Sequence, residues 1–179
     1  MRYVSKLILF TFLGWKLSGE FPKKRNQYII IFAPHTSGVD FLLALLVRSI
    51  TQISPYYFGK ASLFKKPFGY VFKSLKGIPI DRSSNQNYVQ TIVQNFKDNP
   101  RYILALAPEG TRKKVTKWKT GFYYIAHQAQ VPIVKVSMDY SKKEICIDNP
   151  VMTSGDFESD MIKIQVFFKD AIGKHPQFS

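Results

Sequence analysis

Residues 28–51 read YIIIFAPHTSGVDFLLALLVRSIT, an apolar run rich in β-branched and aromatic residues that passes through a proline and a glycine into a helical pattern. This succession predicts a strand over Tyr28–Pro34 and a helix over Asp40–Thr51. Pro34 and Gly38 supply the irregular backbone between the two. Because parallel strands are connected through helices, a strand followed directly by a helix predicts an α/β layer fold.

The same alternation continues along the chain. Short runs bounded by Pro or Gly predict strands over Tyr28–Pro34, Ile53–Phe58, Gly77–Asp81, Tyr102–Ala107, Ile133–Tyr140, Glu144–Ile147 and Lys163–Phe168. Helical spacing predicts helices over Tyr3–Leu17, Asp40–Thr51, Pro67–Leu75, Gln86–Asp98 and Thr120–Gln130. We therefore expect an α/β fold in a single domain, with a mixed, mostly parallel central sheet flanked by helices. Ser141–Lys143 is expected to turn a hairpin between two late strands, and the tail Lys174–Ser179 to be loosely held.

Composition limits the possible partners. The chain has 179 residues, of which 45% are hydrophobic, enough for one sizeable core and too few for two full domains. Its 26 Lys and Arg outnumber 12 Asp and Glu, giving a net charge of +14. Such a charge predicts attraction to something anionic, whether nucleic acid, a lipid headgroup surface or a phosphorylated substrate. Charge alone does not choose among the three.

No disulfide framework or metal site is expected. Cys146 is the single cysteine, and its position in a predicted strand favours a small buried apolar residue. A metal site built from His35, Asp40 and a distant histidine is disfavoured, because His127 lies among apolar residues of a predicted helix and His175 lies in the tail.

The N-terminal apolar run LILFTFLGW, residues 7–15, imitates a signal peptide but is not followed by a small-residue cleavage site. It is also far shorter than the roughly 20 residues needed to cross a bilayer. Lys6 and Lys16 stand at its two ends and Trp15 is among its aromatic residues. Two interpretations remain open for this segment: an amphipathic helix in the membrane interface, or one packed on the protein's own core.

The turn after the first strand contains His35 and, five positions later, Asp40. Residues five apart on a regular helix point roughly 140° apart, so the two can meet only if His35 precedes the helix. A carboxylate bonded to one ring nitrogen would let the other nitrogen take a proton from an alcohol. The alternative is that Ser37-x-x-Asp40 is a capping box, which would make Asp40 a helix-start residue without a catalytic role.

Two further clusters follow predicted strands. Ala107–Arg112 combines an acid, a glycine, a hydroxyl and an arginine, the groups that could grip a phosphate, although a solvated turn is the alternative. Gly77–Arg82 places a second arginine at a strand end, where a surface ion pair with Asp81 is the alternative.

Read in order, these segments resemble the signature blocks of the glycerolipid acyltransferase family. His35 and Asp40 match its H-x4-D block, and the matches to the other three blocks are Gly77–Arg82, Glu109–Arg112 and Val131–Val136. Two positions depart from the pattern. Lys135 stands where the last block usually has a second proline, and Val39 stands where relatives commonly have an aromatic residue.

The resemblance implies the glycerolipid acyltransferase fold, with His35 as general base on the acceptor hydroxyl and Asp40 as its orienter. It implies that Arg82 and Arg112 bind the acceptor's phosphate. The full set of residues that the resemblance places at the acceptor site is Lys60, Arg82, Glu109, Gly110, Thr111 and Arg112.

The resemblance further implies transfer of a fatty acyl group from acyl-CoA or acyl carrier protein to the free hydroxyl of a lysophospholipid. The default acceptor is 1-acyl-glycerol-3-phosphate, which would give phosphatidic acid, and no cofactor or nucleic acid is implied. Alternatives are acylation of another polar lysolipid, or a non-catalytic basic protein that binds anionic lipid or nucleic acid. A hydrolase is disfavoured because the sequence has no G-x-S-x-G motif.

We expect peripheral attachment to the cytoplasmic face of a membrane. Residues 1–18 are interpreted as an amphipathic membrane-contact helix and 19–179 as the catalytic domain. The residues expected to contact the membrane are Lys6, Trp15, Lys16, Lys65 and Lys66.

Overall fold

The computed structural model describes residues 1–67, 69–80 and 88–178. Within these residues the strands are β1 Lys16–Ser18, β2 Gln27–Ala33, β3 Tyr56–Lys60, β4 Gly77–Ile80, β5 Tyr102–Leu106, β6 Ile133–Asp139 and β7 Glu144–Ile147. The α-helices are α1 Arg2–Lys6, α2 Val39–Thr51, α3 Gly69–Ser74, α4 Tyr88–Asp98, α5 Gly121–Ala129 and α6 Phe157–Val166. A π-helical segment, Leu7–Phe12, continues α1, and single 3₁₀ turns lie at Ala61–Phe64 and Pro176–Phe178.

The described strands form one sheet in the order β1-β7-β6-β2-β5-β3-β4. From β6 to β4 all neighbours are parallel, whereas β7 runs antiparallel to β6 and β1 runs parallel to β7. The predicted α/β fold with a mostly parallel sheet is therefore confirmed. The predicted hairpin at Ser141–Lys143 is also confirmed, because it joins β6 to β7.

Side chains of β2 alternate between two hydrophobic cores. Ile29 and Ile31 belong to the cluster under α4, α5 and α6, and Tyr28 and Ile30 belong to the cluster under α2 and the N-terminal segment. This is the period of two expected for a strand covered on both faces. Burial on both faces fixes β2 in the centre of the sheet, and with it the position of the turn that follows.

One predicted strand is wrong. Lys163–Phe168 was expected to be extended, but residues up to Val166 belong to helix α6. The helix is started by Asp156, whose side chain accepts a hydrogen bond from the Ser159 amide. Its buried residues Met161 and Ile164, together with Phe168 just beyond its end, recur at helical spacing, so packing on the core favours the helix over the alternating pattern.

The N-terminal segment differs from the single helix predicted over Tyr3–Leu17. Helical structure ends at Phe12, and Lys16–Ser18 forms β1, which no strand prediction included. Leu9 and Trp15 are buried in the same core cluster as α2. The expected division at residue 18 therefore does not mark a break in packing.

Two further expectations concern the tail and Cys146. The amide of His175 donates to Oγ1 of Thr36 at 3.2 Å, so the start of the tail is anchored beside the turn after β2. Cys146 is half-buried rather than buried. Among the described residues, no helix is long and apolar enough to span a membrane.

Candidate active site

The predicted reactive residues lie at one edge of the sheet. Strand β2 has β6 and β5 as its neighbours, and all three run in the same direction. Their carboxyl ends therefore meet, and the residues that follow them are His35 after β2, Glu109 after β5 and Tyr140 after β6. In parallel sheets such strand ends are where ligands bind.

His35 and Asp40 form the predicted pair. Nδ1 of His35 lies 2.9 Å from Oδ2 of Asp40, a hydrogen-bonding distance. The Asp40 side chain is fully buried, whereas 23% of the His35 side chain is exposed. Because an ionised carboxylate can only accept, Nδ1 carries the proton and Nε2 is the nitrogen left to act as a base.

Asp40 also binds the backbone at the start of α2. Its Oδ2 accepts from the amides of Thr36 at 3.0 Å and Ser37 at 2.9 Å. The same carboxylate oxygen thus makes both the contact with His35 and the bond to the Ser37 amide that the predicted capping box requires of Asp40. These bonds also commit the Thr36 and Ser37 amides, so neither is available to a developing oxyanion.

The other oxygen of Asp40 has a partner from a distant part of the chain. Oδ1 accepts a hydrogen bond of 2.6 Å from the hydroxyl of Tyr140. Burial raises the pKa of Asp40, but the hydrogen bonds from His35, Tyr140 and the Ser37 amide outweigh it and hold the pKa below its ordinary value. Asp40 is therefore ionised throughout the neutral range.

Glu109 holds the other side of the same turn. Its carboxylate oxygens lie 2.9 and 3.2 Å from the backbone nitrogen of His35, so this carboxylate accepts the amide proton. Burial raises the pKa of Glu109, an effect that the bond to His35 only partly offsets. Glu109 is buried, and its hydrogen bond is to the backbone of the turn that carries His35. This contact helps to fix the position of the His35 ring.

Arg112 lies against the start of α2. A Cβ atom placed on Gly38 would be 3.2 Å from Nη1 of Arg112, so glycine leaves room for the guanidinium there. The Arg112 side chain is exposed. A guanidinium beside a helix N-terminus combines two groups that attract anions.

The neighbours of Arg112 have different contacts. Gly110 has a φ of +66°, which favours glycine, and the stem of Lys119 packs over it. Oγ1 of Thr111 accepts from the Lys113 amide at 3.3 Å, so Thr111 stabilises this turn.

Lys60 and Arg82 are the remaining predicted anion contacts. Lys60 is exposed at the end of β3, which is two strands from β2, or about 10 Å at the usual strand spacing. It therefore shares the edge of the sheet with His35 but is not beside it. Arg82 lies outside the described residues.

The residues predicted to contact the membrane differ in their exposure. Lys16, Lys65 and Lys66 are exposed and Lys6 is half-exposed. The prediction for Trp15 is wrong, because only 7% of this residue is exposed and its ring packs edge-on against Tyr140 at 4.8 Å. The neighbouring exposed apolar residues are instead Tyr3, Val4, Leu7, Ile8, Phe10, Phe12 and Leu13.

His127 lies away from the dyad. Nδ1 of His127 lies 3.0 Å from Oγ1 of Thr153, which is a different part of the domain. In the part of the chain that the structure describes, no three His, Cys, Asp or Glu side chains are grouped so that they could hold a metal.

Known proteins similar to this chain identify its family. A family model described as Acyltransferase matches residues 16–139, which is more than half of the chain. The chain belongs to the acyltransferase family. Among solved structures, it is similar to the 1-acyl-sn-glycerophosphate (LPA) acyltransferase PlsC from Thermotoga maritima, with a TM-score of 0.62, 22% identity, and coverage of 93% of this chain and 77% of that one. No relative was found among the curated proteins.

One of the two departures of this acyltransferase from the family blocks, Lys135, has a clear structural setting. Lys135, in place of a proline, is buried in β6, where its Nζ lies 2.8 Å from Oδ2 of Asp148 and 5.0 Å from the Phe167 ring centroid. The site residue that sequence reasoning missed is Tyr140. It lies 100 positions from Asp40 and just beyond the family match, so no local pattern could have indicated it.

Proposed function

We propose that this acyltransferase moves a fatty acyl group from acyl-CoA or acyl carrier protein to the free hydroxyl of a lysophospholipid. The proposed default acceptor is 1-acyl-glycerol-3-phosphate, which would give phosphatidic acid. The observation that carries the proposal is the 2.9 Å contact between His35 and the buried Asp40 in a ring that remains 23% exposed. The similar Thermotoga protein is a 1-acyl-sn-glycerophosphate acyltransferase, which supports this acceptor.

The proposed chemistry needs no nucleophile from the protein. Nε2 of His35 takes the proton of the acceptor hydroxyl, whose oxygen forms a bond to the thioester carbonyl carbon. The tetrahedral intermediate then collapses, the carbon–sulfur bond breaks, and the imidazolium returns the proton to the leaving thiolate. The ionised Asp40 stabilises the imidazolium between these two steps.

An anionic acceptor suits the surroundings of the dyad. The exposed Arg112 guanidinium lies against Gly38 at the start of α2. Gly38 is two positions before Asp40 in the chain. Lys60 shares the same sheet edge, and we propose that Arg82 completes the phosphate contacts. The net charge of +14 would attract both an anionic lipid surface and an anionic donor.

We propose that the protein works as a peripheral protein at the cytoplasmic face of a membrane. Apart from the buried Leu9, the large apolar side chains in the first 13 residues are exposed, among them Tyr3 at 83% and Phe12 at 75%. Leu42, on the outer face of α2 and two positions from Asp40, is 59% exposed. Such side chains together with nearby lysines are suited to the interface of an anionic bilayer.

A direct assay tests the reaction. Purified protein is incubated with labelled acyl-CoA or acyl carrier protein and vesicles that contain either 1-acyl-glycerol-3-phosphate, another lysophospholipid, or 1-acylglycerol without a phosphate. We expect diacyl product from the phosphate-bearing acceptors and little from 1-acylglycerol. His35→Ala should lower the rate by a factor on the order of 10³ or more.

The matched control is His127→Ala, since this histidine bonds Thr153 away from the dyad. It should retain activity close to that of the unmodified protein. Absence of product with every acceptor, together with tight binding to vesicles or oligonucleotides, would instead favour a non-catalytic basic protein. Equal rates with and without the acceptor phosphate would contradict the proposed role of the arginines.

A further inference from the structure

Both oxygens of the Asp40 carboxylate are bound, but by different parts of the chain. Oδ2 accepts from His35, Thr36 and Ser37, all of which lie in the turn before α2. Oδ1 accepts from the Tyr140 hydroxyl at 2.6 Å. Rotation about the Cβ–Cγ bond moves both oxygens, so a donor at either oxygen opposes it. The contact at Oδ1 is therefore a restraint from outside the turn that helps to keep Oδ2 aligned with the His35 ring.

Tyr140 is itself held from two sides. Its ring packs edge-on against the Trp15 ring, with 4.8 Å between centroids and 90° between planes. Its backbone amide donates to the carbonyl of Ile172 at 2.8 Å. Burial and the bond to Asp40 raise the pKa of Tyr140, so its hydroxyl remains a protonated donor throughout the neutral range, in which Asp40 is ionised.

We propose that Tyr140 is a positioning residue for the His35–Asp40 dyad. Its hydroxyl fixes the plane of the Asp40 carboxylate, so that Oδ2 keeps the proton of His35 on Nδ1 and leaves Nε2 free to accept the substrate's proton. Tyr140 acts through Asp40 and has no contact with substrate. The activity readout rests on the proposed acyl transfer, whereas the orientation of the ring can be measured without it.

The kinetic test is Tyr140→Phe, which removes the hydroxyl and keeps the ring against Trp15. Without this donor a buried carboxylate oxygen is left unsatisfied, and the carboxylate would rotate or admit water. We expect kcat to fall by about 10- to 100-fold, since that is the range for losing a hydrogen bond to a charged group. The KM for the lysolipid should change by less than about twofold, because no contact with substrate is removed.

The structure offers a closely matched control. Tyr123 is a buried tyrosine whose hydroxyl donates to Oδ2 of another buried aspartate, Asp160, at 3.0 Å. Tyr123→Phe removes the same kind of bond away from the dyad. It should lower the melting temperature at least as much as Tyr140→Phe while leaving kcat within about twofold. An equal fall in kcat for the two variants would overturn the proposal, because it would mean that general loosening of the fold is responsible.

A second measurement is independent of activity. The chain has only three histidines, so the ring nitrogens of His35 can be assigned in a ¹⁵N NMR spectrum by comparison with His35→Ala. We expect the unmodified protein to show a proton on Nδ1 and Tyr140→Phe to shift or broaden the His35 ring signals, with those of His127 unchanged. Unaltered His35 signals with unaltered kcat would overturn the proposal. An inactive unmodified protein in which Tyr140→Phe still shifts His35 would refute the acyl transfer and support the positioning role.

Discussion

Two buried aspartates in this molecule have nearly the same surroundings and different partners. Asp40 and Asp160 each lie in the first turn of a helix, α2 and α6. Each accepts a tyrosine hydroxyl and a backbone amide from the residues just before its helix. Hydrogen bonds hold the pKa of both carboxyl groups below the ordinary value in spite of burial. Even their tyrosines are alike, since each packs edge-on against a second aromatic ring.

The difference between them is the remaining partner. Asp160 accepts a hydrogen bond from the Ser154 hydroxyl, which completes a structural turn. Asp40 instead binds His35, whose ring is partly exposed at the carboxyl end of β2. Burial, lowered pKa and a helix start are therefore not what distinguishes the candidate site. The distinguishing feature is a base that is held on its inner nitrogen and open on its outer one.

The strongest test of this comparison replaces each aspartate with asparagine. In Asp40→Asn the amide can donate to Nδ1, which would place the His35 proton on the wrong nitrogen, so kcat should fall by a factor on the order of 10³ to 10⁴. Asp160→Asn should leave kcat within about twofold when both are assayed below their melting temperatures. Similar losses of activity in the two variants would break the distinction between a catalytic and a structural carboxylate.

Much of this arrangement could be predicted because it is local in sequence. The strand, the turn and the helix over residues 28–51 follow from the order of apolar, Pro and Gly residues, and the spacing of His35 and Asp40 predicts their contact. The sequence offered capping and pairing as alternatives for Asp40. It could not indicate that one oxygen, Oδ2, would do both.

The errors come from contacts between distant parts of the chain. Trp15 was interpreted from its neighbours, the lysines, whereas its environment is set by Tyr140, 125 positions later. The role of Tyr140 was invisible for the same reason. The failure to predict α6 is a different kind of error, because the helical spacing of Ile164 and Phe168 is visible in the sequence, as is the alternating pattern that predicts a strand.

Acid unfolding should treat the two aspartates alike. Each has a folded-state pKa below the unfolded value, so each contributes to the free energy of unfolding above that value, near 3.8, and loses the contribution as pH falls through the folded pKa. Urea unfolding at pH 7 should find Asp40→Asn and Asp160→Asn each less stable than the unmodified protein by about 1–3 kcal/mol. Below pH 4 both gaps should narrow. A gap for either variant that is constant from pH 7 to 3 would contradict the lowered pKa.

Glu109 provides a contrast in the same pH series because its pKa is shifted in the opposite direction. Its raised pKa means that its contribution to stability is present below the ordinary value of 4.5 and is lost as pH rises through the folded pKa. Glu109→Gln keeps one oxygen to accept the His35 amide proton and does not titrate. The free energy of unfolding of the unmodified protein minus that of Glu109→Gln should therefore decrease as pH rises. The same difference taken with each aspartate variant should increase.

The smallest expected effect concerns the rings behind the two tyrosines. Trp15 lies against Tyr140, and Phe157 lies against Tyr123 at 5.1 Å with 86° between the ring planes. Trp15→Leu and Phe157→Leu should each lower stability by about 2 kcal/mol. Only Trp15→Leu should lower kcat, by roughly 2- to 10-fold, since losing an edge-to-face pair loosens the hydroxyl that holds Asp40.

This last pair also separates packing from membrane contact at the N-terminus. Phe12→Leu alters a side chain that is 75% exposed and three positions before Trp15. It should weaken binding to anionic vesicles while leaving kcat on detergent-dispersed substrate unchanged. Trp15→Leu should do the reverse, because its ring is buried on Tyr140. If Trp15→Leu weakens vesicle binding as much as Phe12→Leu and leaves kcat unaltered, then the contact between Trp15 and Tyr140 has no effect on the dyad. Trp15 would then be a packing residue with no link to catalysis, as Phe157 is expected to be.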